Sequence, residues 1–528
     1  MFLSALCFSA VGQVVVWGDH EYGQTNVPEN ATNLLALAAG DAHCLALKTD
    51  GTVLAWGMSS SGRTNVPFGL TNAVSIAAGS SHSLALRSDN TIALWGRIFP
   101  SGVTNVPPEA TNIVALALGP GAQHALALRK DGTVLDWGGL YPSLTAPPAN
   151  ARNLVAVAAG DYFAVALRSD GRVVAWGKDP QTGALQVPPS ATNIVAIAAG
   201  WDNVAALRAD GTVLTWGSVS SLPAANGFTN VVDLASPFAG YSGSVLALRR
   251  DGTVTQSGTG PFGPTNNVTA IGAGSFNGLA LAGSGPPIFP GFPINRTVPG
   301  GSTAYLRLLA VGRMPMFYQW TCNDTNLSGA TNSVLALTNV QPSLGGTYYT
   351  LVASNASGMA TSGPIILNEV ASEVAVQPQW QTAFPCYNVT FTASVTGKGP
   401  FSYQWRFGGT NLDAATTTSL SLANVQMSQT GTYSLLVSNK FGIVTNTDAF
   451  LNVVPLPTFE RINQVAGLVT LTWSATTGLV FQLQYTSDLS SRNWSNLGST
   501  ITASNATVNG PDTNGTELQR FYRLLVTP

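Results

Sequence analysis

The sequence predicts an all-β chain: a seven-bladed β-propeller followed by three β-sandwiches. Three observations predict it. A unit of roughly 40 residues recurs seven times in the first half, and a longer unit repeats at an interval of 85 residues in the second. Charged residues are scarce: Asp, Glu, Lys and Arg make up 9% of 528 residues, against about 25% in ordinary soluble proteins. Glu and Lys, which line helix surfaces, are therefore rare, while Gly (55) and Pro (31) supply turns.

The same composition excludes several classes. With 45% apolar residues and a net charge of −2, the chain has too much hydrophobicity and too little charge for disorder. No uninterrupted apolar run is long enough to span a membrane. Nucleic acid binding needs a basic excess, and 23 Lys+Arg against 25 Asp+Glu provide none.

Residues 1–11 read MFLSALCFSAV. Two readings stand for this segment: a truncated secretory signal peptide lacking its basic start, or the first strand of the fold. Cys7, Cys44, Cys322 and Cys386 lie far apart, with no Cys-x-x-Cys pair, so neither a disulfide framework nor a zinc ribbon is expected.

The repeat is marked by Trp-Gly at Trp17, Trp56, Trp95, Trp137, Trp176 and Trp216, with a degenerate copy at Ser257-Gly258. Before most copies stands Asp-Gly or Asp-Asn (Asp50, Asp89, Asp131, Asp170, Asp210, Asp251). Asp-Gly suits a type I′ hairpin turn. Upstream run Leu45-Ala46-Leu47 and its equivalents, and before them an apolar strand closed by Gly40, Gly79, Gly119, Gly160, Gly200, Gly240 or Gly274. A Val-Pro element such as Val27-Pro28 or Val66-Pro67 follows the Trp-Gly loop, so about four short strands fit each unit, as in a propeller blade. The first unit begins on a Trp-Gly strand and the last ends on a Leu-Ala-Leu strand, so the ring closes by joining both ends of residues 12–283.

Stretches such as Ala38-Ala39-Gly40-Asp41-Ala42-His43-Cys44-Leu45-Ala46-Leu47, followed by Asp50-Gly51-Thr52-Val53-Leu54-Ala55-Trp56-Gly57, resemble the regulator of chromosome condensation family of seven-bladed propellers. The short unit and the segment Gly23 to Pro28 resemble its secreted bacterial branch, which includes a propeller-type β-lactamase inhibitor. The resemblance implies a fold. It leaves exchange factors, inhibitors and adhesive modules all open.

Residues 282–301, dense in Gly and Pro, read as a linker. Beyond them Tyr318-Gln319-Trp320 matches Tyr403-Gln404-Trp405, and Gly346-Thr347-Tyr348 matches Gly431-Thr432-Tyr433. Two domains, 284–369 and 370–455, resemble immunoglobulin-like sandwiches, with Tyr348 and Tyr433 expected at the tyrosine corner. Thr350 and Leu435 stand where the late cysteine is expected, so each core must hold without an inter-sheet disulfide. Residues 456–528 alternate in strand fashion and resemble a fibronectin type III-like module.

The sequence offers no catalytic motif, and the chain is expected to be neither an enzyme nor a holder of metal or cofactor. His43, His82 and His124 occupy one repeat position. Phe163, Asn203 and Asn277 fill the same slot, which argues for a buried group bonded to its own blade. Asp512 to Glu517 reads as a plain turn.

In a meandering blade the post-Gly and Trp-Gly loops share one face and the Asp-Gly turns the other. The first face offers Tyr162, Trp201, Tyr241 and Phe276, and the Trp-Gly loops add Tyr22, Phe99 and Tyr141. These seven aromatics form either a ligand-binding face or local packing between blades. The chain is thus expected to be an exported, extracellular or cell-surface bacterial monomer that binds a protein or polysaccharide through its propeller. A secreted inhibitor of the β-lactamase-inhibitor type is the alternative.

Overall fold

A computed structural model describes residues 13–96, 106–118, 124–138, 147–178, 183–218, 228–236, 245–257, 266–275, 277–341, 347–377, 380–446, 449–465, 468–490, 493–513 and 519–527, with the backbone alone at 373, 375–377 and 527. The described residues contain no α-helix, and one 3-10 turn, Met427–Gln429, interrupts the strands. Two compact units, 1–370 and 371–528, divide the chain.

In the first unit seven three-stranded antiparallel sheets follow one another among the described residues. Sheet 1 is Leu34–Ala39, His43–Lys48 and Val53–Gly57, taken as inner, middle and outer strands. Sheets 2 to 6 repeat this order. Each inner strand touches the next, and the inner strand of sheet 7, Val268–Ala273, touches that of sheet 1. The outer strand of sheet 7 is Val14–Gly18, paired antiparallel to Asn277–Ala282 with Val16 opposite Leu279. The chain's first strand therefore completes its last sheet.

Side-chain size explains the recurring Leu-Ala-Leu. Alternate residues of a strand face opposite ways, so Leu45 and Leu47 pack on Ala85 of sheet 2. Ala46 faces back to receive Leu279 and Leu281 of sheet 7. Leu84 and Leu86 meet Ala125 and Ala127 in the same way, and Leu126 and Leu128 meet Ala164 and Ala166. Large residues projecting forward fill the space left by small ones projecting back, and both sides of each middle strand are dry. The inner strands close more tightly still. A methyl on Gly40 would lie 2.2 Å from the Gly79 carbonyl oxygen, and one on Gly274 would lie 2.3 Å from that of Gly40.

Two local expectations need correction. The Asp-Gly hairpins are not type I′, which requires positive φ at both central residues. Gly51 has φ +79° while Asp50 is not left-handed. Gly51 N–H donates to Lys48 O and Lys48 N–H to Thr52 O, closing a three-residue loop that ends on the left-handed glycine. The Asp50 carboxylate accepts from both Thr52 N–H and Thr52 Oγ1, which fixes the loop without a second positive φ. The unit also has three strands, not four, among the described residues. The Val-Pro element cannot extend the ladder because proline has no N–H. Carbonyls just before it accept the tryptophan indoles instead: Gln24 from Trp56 (2.7 Å), Arg63 from Trp95 (2.8 Å) and Ala184 from Trp216 (3.0 Å).

Residues 282–301 are not a free linker. Ile288 pairs with Val311, Asn355 donates to Gly285 O, and Arg296–Pro299 is a strand parallel to Ile365–Val370. The first sandwich is thereby fixed to the Asp-Gly ends of sheets 4 to 7. Tyr305 hydroxyl donates to Asn193 Oδ1 (2.7 Å), Arg307 pairs with Asp233 (2.7 Å), Arg250 donates to Asn332 (2.6 Å), and Ser169 hydroxyl donates to Thr297 O.

Within the sandwiches Trp320 and Trp405 are fully buried, and Gln319 and Gln404 each donate to two backbone carbonyls beside them. The matched tyrosine is displaced by one residue in the first sandwich. Tyr349, not Tyr348, is the buried ring, while Tyr348 donates its hydroxyl to Asp324. Trp320 pairs with Leu351 and Trp405 with Leu435, so Leu351, rather than Thr350, stands at the expected cysteine position. One extra residue before the strand turns every side chain to the other face. In the second unit Tyr433 is buried and donates its hydroxyl to Gln429 O, four residues upstream (3.0 Å). Residues 459–527 form a three-stranded and a four-stranded sheet around Trp473 and Phe481, where Asp512 is fully buried and bound by Arg520 and Tyr522. We predict that Tyr349→Ala lowers stability by about 3–5 kcal/mol, as for emptying a buried aromatic site. Tyr348→Ala, which removes only an exposed hydrogen bond to Asp324, should cost far less, with denaturant unfolding distinguishing the two.

Candidate binding face

Strand register fixes which loops share a face. Gly57 lies opposite His43, beside the pair Ala39 and Cys44, so the post-Gly and Trp-Gly loops emerge together, away from the Asp-Gly ends. The first sandwich occupies the Asp-Gly side of sheets 4 to 7. The loop side carries Asp41, Ser80, Asp161, Trp201 and Ser275, each the first residue after an inner strand's glycine or its equivalent.

These residues bond from sheet to sheet. Ser275 Oγ donates to Asp41 Oδ1 (2.5 Å), and Trp201 Nε1 donates to Asp161 Oδ2 (2.7 Å). Arg63 holds the Ser80 carbonyl and Ser61 hydroxyl. Burial pushes the Asp161 carboxyl up to about 6, assisted by repulsion from Asp41 and opposed by the Trp201 hydrogen bond and by His124.

Below this layer lie His43, His82 and His124, all buried. His43 bonds across to the next sheet, whereas His124 bonds Asp136 within its own sheet. His43 Nε2 meets Ser83 Oγ of sheet 2 (2.9 Å), and the same slot places Asn203 against Ser236 and Asn277 against Cys44. Burial, together with Arg63 and His82, takes His43 down to about 3. Burial takes His82 down to about 4, with Asp41 opposing it. Burial alone would lower His124 as well, but the Asp136 carboxylate bonded to its Nδ1 at 2.8 Å raises it. Asp136 also accepts from Trp176 Nε1 (2.8 Å). Among the described residues no group of three or more His, Cys, Asp or Glu is placed to hold a metal ion, and no helix is long and apolar enough to cross a membrane.

Of the seven aromatics expected on this face, Phe99, Tyr141, Tyr241 and Phe276 lie outside the described residues. Trp201 is 41% and Tyr22 43% exposed, and Tyr162 is half-buried. Tyr162 and Trp201 are linked through Asp161, whose backbone N–H also donates to Trp201 O (3.3 Å). Tyr22 sits on a different sector, in the connection from sheet 7 to sheet 1. The tryptophans of the Trp-Gly pairs are another class: Trp56, Trp95, Trp137, Trp176 and Trp216 are 5–7% exposed. Sequence reasoning missed Asp161. Its signal is the residue type directly after Gly160, where Asp41 follows Gly40.

Three stretches, residues 35–63, 154–180 and 194–220, match the "Regulator of chromosome condensation (RCC1) repeat". They fall on sheets 1, 4 and 5. Among solved structures, the chain is similar to the N-terminal immunoglobulin module of the Drosophila receptor protein tyrosine phosphatase DLAR, at 19% identity over 32% of this chain and 99% of that one, with a TM-score of 0.16. It is also similar to three N-terminal domains of the highly immunogenic outer capsid protein of bacteriophage RB49, at 13% identity over 40% of this chain and 82% of that one, with a TM-score of 0.23. Likeness this low carries no argument, and the description of the sandwiches rests on their strand pairing.

Asp161 gives a pH test. Its folded carboxyl holds the proton up to about pH 6, whereas an unfolded aspartic acid releases it near 3.9. The folded form therefore binds more protons between these values, and its stability rises as pH falls through 6 toward 4. Relative to Asp161→Asn, the native protein is expected to gain stability from pH 7.5 to 5, read as the difference in unfolding midpoints. An equal response in both proteins would contradict the assignment.

Proposed function

We propose that this chain is a non-enzymatic binding protein. Residues 12–283 act as a seven-bladed β-propeller that captures a protein or polysaccharide on its loop face. The immunoglobulin-like and fibronectin type III-like sandwiches support and display it. The observation that carries this reading is the division of labour between the two ends of the ring. The first sandwich is built onto the Asp-Gly ends of sheets 4 to 7. The loop end of the same sector keeps Trp201 at the surface. Aromatic side chains such as Trp and Tyr are enriched among the residues from which binding hot spots are made. The repeats matched at 35–63, 154–180 and 194–220 favour protein binding as a class. Export to a bacterial cell surface accords with the low charge and with modular sandwiches, and we hold it as part of the same proposal.

The test is capture by the immobilised full chain from protein and glycan libraries. The double variant Trp201→Ala with Tyr162→Ala should weaken capture about tenfold or more, the scale of one hot spot, while the thermal midpoint stays unchanged. Undiminished capture, or a collapse in stability, would assign these rings to packing instead.

A further inference from the structure

We propose that Asp161 is a positioning residue that holds the Trp201 indole as a platform for a basic side chain, lysine or arginine, presented by a protein partner. The inference rests on the binding reading above and names the chemistry of the partner.

The argument begins with cost. An indole N–H at a surface could be satisfied by water. That of Trp201 is instead held at 2.7 Å by a carboxylate only 5% exposed. Withdrawing a carboxylate from water is expensive, and Ser80 and Ser275 occupy the equivalent position without that expense. Among the buried tryptophans of the Trp-Gly pairs, Trp56, Trp95 and Trp216 satisfy their N–H groups on backbone carbonyls and Trp176 on the Asp136 carboxylate. A buried charge spent on a half-exposed ring gains little for folding and fixes where the ring points.

Charge then selects the ligand. Asp41 and Asp161 are near enough that Asp41 helps to raise Asp161. The cations nearby are already committed: Arg63 to Ser80 O and Ser61 Oγ, and His124 to Asp136; Lys178, whose backbone N–H donates to Tyr162 O, is engaged as well. A cation above the indole would meet the ring's negative face, where tryptophan binds cations best, with the Asp161 carboxylate at the ring's edge. An anion would be repelled. A neutral sugar stacked on the ring could not use the indole N–H as a lateral donor, because Asp161 has it.

The test uses the full chain labelled with 5-fluorotryptophan, with the Trp201 fluorine resonance assigned by its loss in Trp201→Phe. Hexalysine should move that resonance saturably, while hexaglutamate and maltohexaose leave it in place. Asp161→Asn should weaken the hexalysine response at least tenfold with the other tryptophan resonances unmoved. If Asn disturbs them, Asp161→Ser, which installs the residue found at positions 80 and 275, takes its place. Movement by maltohexaose but not hexalysine, no movement by either, or an unweakened response in both Asp161 variants would overturn the proposal. Such a result together with lost capture in the Trp201 and Tyr162 double variant would leave the binding reading standing. Undiminished capture in that variant would remove the binding reading itself.

Discussion

The first unit depends on one packing rule: a leucine from each middle strand enters the space above an alanine of the next. Sheets three strands wide are too small to bury a core alone, and seven of them stand because neighbours supply the missing half of each interface. Burying a leucine contributes about 1.5–3 kcal/mol, and every sheet both gives and receives such contacts. The rule has no end to absorb error. It must also hold where Leu279 and Leu281 meet Ala46, 233 or more residues away in sequence, and there Val14–Gly18 seals the outer edge.

The loop face follows from that rule. Because the middle strands are packed on both sides, chemical variety is confined to strand ends. One end is consumed by uniform Asp-Gly hairpins and, in sheets 4 to 7, by the first sandwich. The other is free to vary from repeat to repeat, and there Asp41, Ser80, Asp161, Trp201 and Ser275 occupy one structural position with different side chains. A repeating scaffold with one conserved and one diversified end is a natural substrate for recognition. The low charge of the chain agrees with a scaffold held by apolar packing.

Much of the fold was legible in the sequence because it is periodic. Trp-Gly, Asp-Gly and Leu-Ala-Leu recur with the interval of a single sheet, and the resulting strands lie where the pattern puts them. What was misread was local and geometric. Composition cannot distinguish a two-residue type I′ turn from the loop in which Asp50 binds Thr52. The Val-Pro element looks like a strand until its missing N–H is considered. Tyr348 and Tyr349 are adjacent, and one inserted residue decides which is buried. The candidate site was half legible: Trp201 stood out as an aromatic after Gly200, whereas Asp161 acquires its role only from a neighbour 40 residues on. His43, likewise, bonds to Ser83 of the following sheet, a relation that no single repeat displays.

The account is tested most directly at the closing interface between sheets 7 and 1, by a double-mutant cycle on Leu281 and Ala46 followed by denaturant unfolding. Leu281→Ala should cost about 2–5 kcal/mol and Ala46→Leu about 1–3 kcal/mol. The double variant, which exchanges large and small across the interface, should lose clearly less than the two together. Strict additivity would show that the two side chains do not share a packing space, and would contradict the rule on which the ring is held to depend.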